Sequence, residues 1–183
     1  AGIDMFHIDI IDGNFAPNIS LNPAHVSSLR NLTTLPIDVH LMVKKPSNYI
    51  DALSDNGADI VIIHFESEDD ISEVISSIKN KNMKSGLALE IDTPIEEVFD
   101  YLSEIDYLMF MSVKTGFASQ PFETKVIDNI NKISTEIRNR NLTLTLIADG
   151  SVGPRTIPHF YENGVRIFVG GTSGLFKEGS FED

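Results

Sequence analysis

The segment Met5-Phe6-His7-Ile8-Asp9-Ile10 runs directly into Ile11-Asp12-Gly13-Asn14-Phe15-Ala16-Pro17-Asn18. Its first six residues read as a β-strand in which His7 and Asp9 alternate with apolar residues, and Asp12-Gly13 reads as the turn chemistry of a loop. Outward from there the same grammar recurs. Further strands are expected at Ile37 to Val43, Asp59 to His64, Ser85 to Leu89, Tyr107 to Ser112, Leu142 to Ala148 and Val165 to Gly170. Helical stretches are expected at Pro23 to Leu32, Ser47 to Asn56, Asp69 to Asn80, Pro94 to Leu102, Pro121 to Arg138 and Pro154 to Asn163. Asn56-Gly57 and Asn163-Gly164 each place glycine where a left-handed helix stop is wanted. The alternation predicts an α/β protein built from βα units on a parallel sheet. Seven strands fit an open doubly wound sheet or a (β/α)8 TIM barrel with one strand missing, and periodicity does not choose between them. No Gly-x-Gly-x-x-Gly follows Ile10, which weighs against a dinucleotide site.

At 183 residues the chain predicts a single domain spanning 1–183. Hydrophobic residues at 42% and charged residues at 22% predict a folded, soluble protein. The net charge of -13 disfavours a nucleic-acid backbone or an anionic lipid surface as partner. No apolar run approaches the ~20 residues of a spanning helix, so no membrane partner is expected. Zero cysteines exclude disulfide and thiolate chemistry and fit a cytoplasmic location.

Polar residues at the carboxyl ends of parallel strands carry the chemical information, because such groups are costly to bury without purpose. His7 and Asp9 lie two apart and share a strand face, Asp38 and His40 repeat the spacing, and Asp149 ends an apolar run. Two imidazoles and two carboxylates from three strand ends suit a divalent metal: Zn, Mn, Fe or Co. A lone strand histidine is more often a hydrogen-bonded core residue; agreement among three strands gives the metal reading equal weight. Asp38 reads as a ligand orienter or an interior acceptor. His64 has no clear role, and His25 and His159 look structural. Small-residue loops at Gly116-Phe117-Ala118-Ser119-Gln120, Gly150-Ser151 and Gly170-Gly171-Thr172-Ser173-Gly174 offer backbone N–H groups and hydroxyls to a phosphate, although ordinary turns look similar.

The segments His7 to Asn18, Asp38-Val39-His40-Leu41-Met42-Val43, Met111-Ser112-Val113 with Gly116-Phe117, and Asp149-Gly150 together resemble the ribulose-phosphate 3-epimerase family. Gly116 to Ala118, Gln120 to Phe122, Asp149 to Ser151 and Gly171 to Phe176 look more like its D-allulose-6-phosphate 3-epimerase branch. The resemblance implies a (β/α)8 barrel isomerase of carbohydrate metabolism acting on D-ribulose 5-phosphate or D-allulose 6-phosphate. It implies one divalent ion on His7, Asp9, His40 and Asp149, with Asp9 and Asp149 as the proton-transfer pair working through an enediolate. Gly116, Phe117, Ala118, Ser119, Gly150, Ser151, Gly171 and Thr172 match the phosphate cradle, and Ile11, Met42 and Met111 line the site.

Some positions depart from the family pattern. Lys114-Thr115 replaces an Asn-Pro or Asp-Pro, Ser119 a Gly, Glu90 an Asn and Ile147 a Glu. The family's first strand and helix, and most of its last helix, have no counterpart, so an incomplete barrel is expected, with open strand edges that leave room for a homo-oligomer. The rival reading is a non-catalytic sugar-phosphate-binding relative. A lysine-dependent aldolase or decarboxylase is disfavoured, because neither Lys84 nor Lys114 stands in an Asp-x-Lys pattern.

Overall fold

The structure, a computed structural model, describes residues 2–117, 122–171 and 174–175. Seven strands occur among them: β1 (Phe6–Ile11), β2 (Ile37–Met42), β3 (Ile60–His64), β4 (Lys84–Leu89), β5 (Tyr107–Met111), β6 (Thr145–Asp149) and β7 (Ile167–Phe168). Five helices intervene: α1 (Pro23–Arg30), α2 (Ile50–Asp55), α3 (Ile71–Asn80), α4 (Lys125–Arg140) and α5 (Ile157–Glu162). Strand order in the sheet follows chain order from β1 to β7, and the strand pairs on either side of β4 are parallel. A doubly wound sheet reverses its order at a switch point, whereas a barrel adds each strand beside the last. The fold is therefore of the (β/α)8 barrel type, with seven of its strands described.

Contacts divide the chain into two compact units, Gly2–Leu87 and Ala88–Asp183, with the division inside β4. In the first unit, all six residues of β2 are buried, including Asp38 and His40. Helix α3 buries Ile71, Val74, Ile75 and Ile78, one face at helical spacing, and Asp70 caps it by accepting the Glu73 N–H at 3.0 Å. At the start of α1, Asn22 accepts the Ala24 N–H at 3.0 Å while its own N–H donates to His25 Nδ1 at 3.2 Å. His25 thus serves as a capping residue, in line with a structural role. The amino ends of the strands are tied by Arg30, whose guanidinium reaches Asp59 Oδ2 at 2.5 Å and the carbonyls of Gly57 and Leu35 at 3.2 and 3.1 Å. Asp59 in turn accepts the Ile37 N–H at 2.8 Å, which links the start of β3 to β2.

In the second unit, α4 buries Val126, Ile130 and Ile133 and ends on Asn141 in the left-handed conformation. The Leu142 N–H still bonds back to Ile137 at 3.0 Å, so residues 142–144 belong to the helix exit and β6 starts at Thr145, later than expected. The stretch expected as a helix at Pro94 to Leu102 forms tight turns instead. Bonds of the i to i−3 type run from Glu97 to Pro94, Phe99 to Glu96 and Tyr101 to Val98, and the 3₁₀ segment Ile95–Val98 buries both its end residues at the matching spacing of three. Ser47 to Asn56 likewise splits into a 3₁₀ turn at Pro46–Asn48 and the short α2. Gly57 and Gly164 both have positive φ, the left-handed stops that their asparagine-glycine contexts predict.

Candidate metal and catalytic site

Strand register builds the first half of the site. β1 and β2 pair with His7 opposite Asp38 and Asp9 opposite His40, so each histidine faces an acid across the ladder. The two-residue spacing keeps all four on one sheet face. His40 Nδ1 and His7 Nε2 converge on one atom, Asp9 Oδ1, at 3.1 and 3.2 Å. Each ring is also backed on its far side. His7 Nδ1 lies 2.7 Å from Asp38 Oδ1, and His40 Nε2 lies 2.8 Å from His64 Nε2, whose Nδ1 lies 3.1 Å from Glu66 Oε2.

Burial decides the electrostatics. His40, His64 and Asp38 have side chains at most 1% exposed, while Asp9 is 46% exposed and open to a reactant. Burial alone would lower the His7 pKa, but the Asp38 charge, with Asp9 behind it, raises it well above the usual imidazole value. For Asp9 burial acts upward, and hydrogen bonds from His40 and His7 outweigh it, so its carboxyl is held far below the ordinary range. Asp9 is therefore ionised at neutral pH. His64 is pushed down to about 4, chiefly by burial, and stays neutral.

The donor set fits a divalent cation. His7, Asp9 and His40 each offer a ligand atom within 4.8 Å of the others. The donor separations of 3.1 and 3.2 Å are the edge lengths expected around an ion with bonds of about 2.0–2.2 Å. The opposite nitrogens lie against Asp38 Oδ1 and His64 Nε2 at 2.7 and 2.8 Å, positions from which metal-bound imidazoles are oriented. Beside this cluster a cavity of about 580 Å³ is lined by Ile11, Asp12, Ser20, Lys44, Tyr49 and Glu68 among others, and its lining includes none of His7, Asp9 and His40. Asp12 holds the loop at its rim, accepting the N–H groups of Asn14 and Phe15 at 2.8 Å and of Lys44 at 3.0 Å, which bears out its reading as a turn residue. Ile11 and Met42 pack together with Ala16 and Phe15 in a buried cluster.

In the second unit Asp149 closes β6, level with Met111 on β5, and its Oδ1 accepts the Gly150 N–H at 2.7 Å. Gly150 is required there. Its φ is +89°, and a Cβ would stand 2.5 Å from Val113 Cγ2. The Ser112 hydroxyl donates to the Gly150 carbonyl, and the Ser112 N–H to the Asp149 carbonyl at 2.8 Å, so the turn after Asp149 is held from β5. Ser151 also adopts a positive φ. Gly174 approaches this loop, since a Cβ there would lie 2.9 Å from the Val152 carbonyl oxygen. Gly116 has positive φ and Phe117 is exposed. Ala118, Ser119 and Thr172, expected in the phosphate cradle, lie outside the described residues.

The sequence reading missed His64 and Glu66. The signal was present in His64-Phe65-Glu66, which repeats at the end of β3 the spacing of His7-Ile8-Asp9.

Among solved structures, the chain is similar to a mutant tryptophan synthase alpha-subunit from Pyrococcus furiosus, with a TM-score of 0.63 at 12% identity over 82% of this chain and 62% of that one. It is also similar to mutant FabK from Thermotoga maritima, with a TM-score of 0.59 at 16% identity over 84% of this chain and 50% of that one. The chain thus spans half to about three fifths of the length of these structures, which share its fold. Among curated relatives, it is 35% identical to ribulose-phosphate 3-epimerase of Bacillus subtilis over 173 residues, 94% of this chain and 80% of the relative. It is also 35% identical to the cytoplasmic isoform of that enzyme from Oryza sativa over 176 residues, 94% of this chain and 75% of the relative. No helix among the described residues is long and apolar enough to cross a membrane. With the model of the ribulose-phosphate 3 epimerase family matching residues 1–176, the chain belongs to that family.

Proposed function

We propose that this chain is a metal-dependent ketose-phosphate 3-epimerase, with D-ribulose 5-phosphate or D-allulose 6-phosphate as substrate, and that Asp9 and Asp149 exchange the C3 proton. The observation that carries the reading is the half-exposed, ionised Asp9 carboxylate, held by two imidazoles whose other nitrogens are occupied. Inverting a carbon beside a ketone requires removal of its proton from one face and delivery of another to the opposite face, work for two carboxylates. His7, Asp9, His40 and Asp149 would hold the ion, which supplies Lewis acidity to the oxygens of the developing enediolate.

Asp9 would serve as one carboxylate, its Oδ1 held by His40 Nδ1 and His7 Nε2 at 3.1 and 3.2 Å. Asp149 would serve as the other carboxylate, its backbone fixed by Ser112 and its Oδ1 by the Gly150 N–H. Gly150, Ser151 and Gly171, with Gly116 to Ser119 and Thr172, would cradle the phosphate through backbone N–H groups and hydroxyls. Ile11, Met42 and Met111 would line the carbon side.

The test is incubation with each sugar phosphate in deuterated water, following deuterium at C3 with and without chelator. Chelator-sensitive uptake with one of the two substrates is expected. Binding of both sugars without uptake would overturn the reading in favour of a non-catalytic binder.

A further inference from the structure

The loop after β1 turns back on the strand that carries His7 and Asp9. Among the described residues β1 stands at the end of the strand order, beside β2. In a parallel pair the backbone groups of successive residues point to alternate sides. Phe6 donates its N–H to the Pro36 carbonyl, so Asp9 and Ile11 turn their backbone groups away from β2. Ser20 meets three of these groups. Its hydroxyl donates to the Asp9 carbonyl at 2.7 Å and accepts the Ile11 N–H at 2.9 Å, and its own N–H donates to the Ile11 carbonyl at 3.3 Å. Next to it, Asp12 and Ile19 form an isolated antiparallel bridge. A single residue thus stands in for a neighbouring strand along the last turns of β1.

We propose that Ser20 is a positioning residue that holds the β1 backbone at Asp9 and Ile11 and so aims the Asp9 carboxylate. The inference rests on the reading of Asp9 as a proton-transfer carboxylate. A hydroxyl is suited to the task because it donates and accepts at once, and one atom can serve a carbonyl and an N–H two residues apart. The backbone bond fixes the Asp9 main chain from one side, while His40 Nδ1 and His7 Nε2 meet its Oδ1 at 3.1 and 3.2 Å from the other. Ser20 is exposed and the Asp9 side chain half-exposed, so water replaces a lost hydroxyl at little cost in stability. Water satisfies the two backbone groups without fixing where they stand. Loss of the hydroxyl therefore costs geometry more than stability, which separates positioning from a merely structural role.

The test compares Ser20→Ala and Ser20→Thr in the full chain. In Ser20→Ala, kcat for C3 deuterium uptake should fall about 10- to 100-fold with KM within about twofold, since a misplacement of about 1 Å is worth that much. In the substrate-free protein, exchange of the Ile11 amide hydrogen should quicken about tenfold and the Asp9 carboxyl ¹³C resonance should shift, while the thermal midpoint moves little. Ser20→Thr keeps the hydroxyl and should restore kcat, amide exchange and resonance together. Faster Ile11 exchange with an unmoved Asp9 resonance and wild-type kcat would overturn the proposal and leave Ser20 a structural brace. So would a threonine variant as impaired as the alanine one, or a kcat loss that only follows a fallen thermal midpoint. If the wild type takes up no deuterium at C3 of either sugar, the epimerase reading fails, and the Asp9 resonance in Ser20→Ala still decides whether Ser20 positions that carboxylate.

Discussion

Strands β1 to β3 treat charge in opposite ways in the ties at their amino ends and on the face that carries the site. At the amino ends, Arg30 and Asp59 are 28% and 48% exposed, and their paired side chains reach the carbonyls of Gly57 and Leu35 and the Ile37 N–H, which ties one backbone segment to another. On the face that carries the site, from Asp38 near the start of β2 to His64 at the end of β3, Asp38, His40 and His64 are almost wholly buried, Asp38 against His7 and His40 against His64. The first arrangement keeps most of its hydration and needs little from its partners. The second sets buried imidazoles against carboxylates and one another, which offsets part of the cost of burying them, and it leaves Asp9, half-exposed, poised toward solvent. Within one set of strands, the amino-end ties of Arg30 and Asp59 serve stability and the buried polar face that begins at His7 and Asp38 serves chemistry.

The sharpest way to break this contrast is Asp9→Asn. C3 deuterium uptake should fall about 10³-fold or more while the thermal midpoint moves little, and Asp149→Asn should match it. Wild-type turnover in either variant would end the two-carboxylate account.

Asp38→Asn comes next. It removes the charge behind His7, and calorimetry or denaturant titration should show a loss of about 2–4 kcal/mol, with weakened cation binding. The pH dependence has a definite sign. Because folding raises the His7 pKa, the His7–Asp38 pair contributes fully below about pH 6.5 and fades as pH rises through the folded value. In chelated wild type this appears as alkaline softening, which Asp38→Asn should abolish.

Smallest is Arg30→Ala, expected to cost about 1–2 kcal/mol of stability through the lost carbonyl and Asp59 contacts while leaving turnover unchanged. A turnover loss there would show that the amino-end ties and the site-bearing face are not independent.

The strands, their parallel βα rhythm and the polar strand ends were legible because a period of two is a local property of the chain. Helix ends were less so. Nothing local announces that Leu142 bonds back to Ile137, or that Pro94 to Leu102 would close into i to i−3 turns, since competing bonds decide both. Asp38 could be read only as orienter or acceptor until the β1–β2 register set it against His7. His64 had no reading at all, because its meaning lies in a ring from another strand 2.8 Å away. The sequence by itself determined which residues could do chemistry and on which strand face they stand. Only the tertiary structure decided which nitrogen meets which oxygen, because register and ring packing arise between segments distant along the chain.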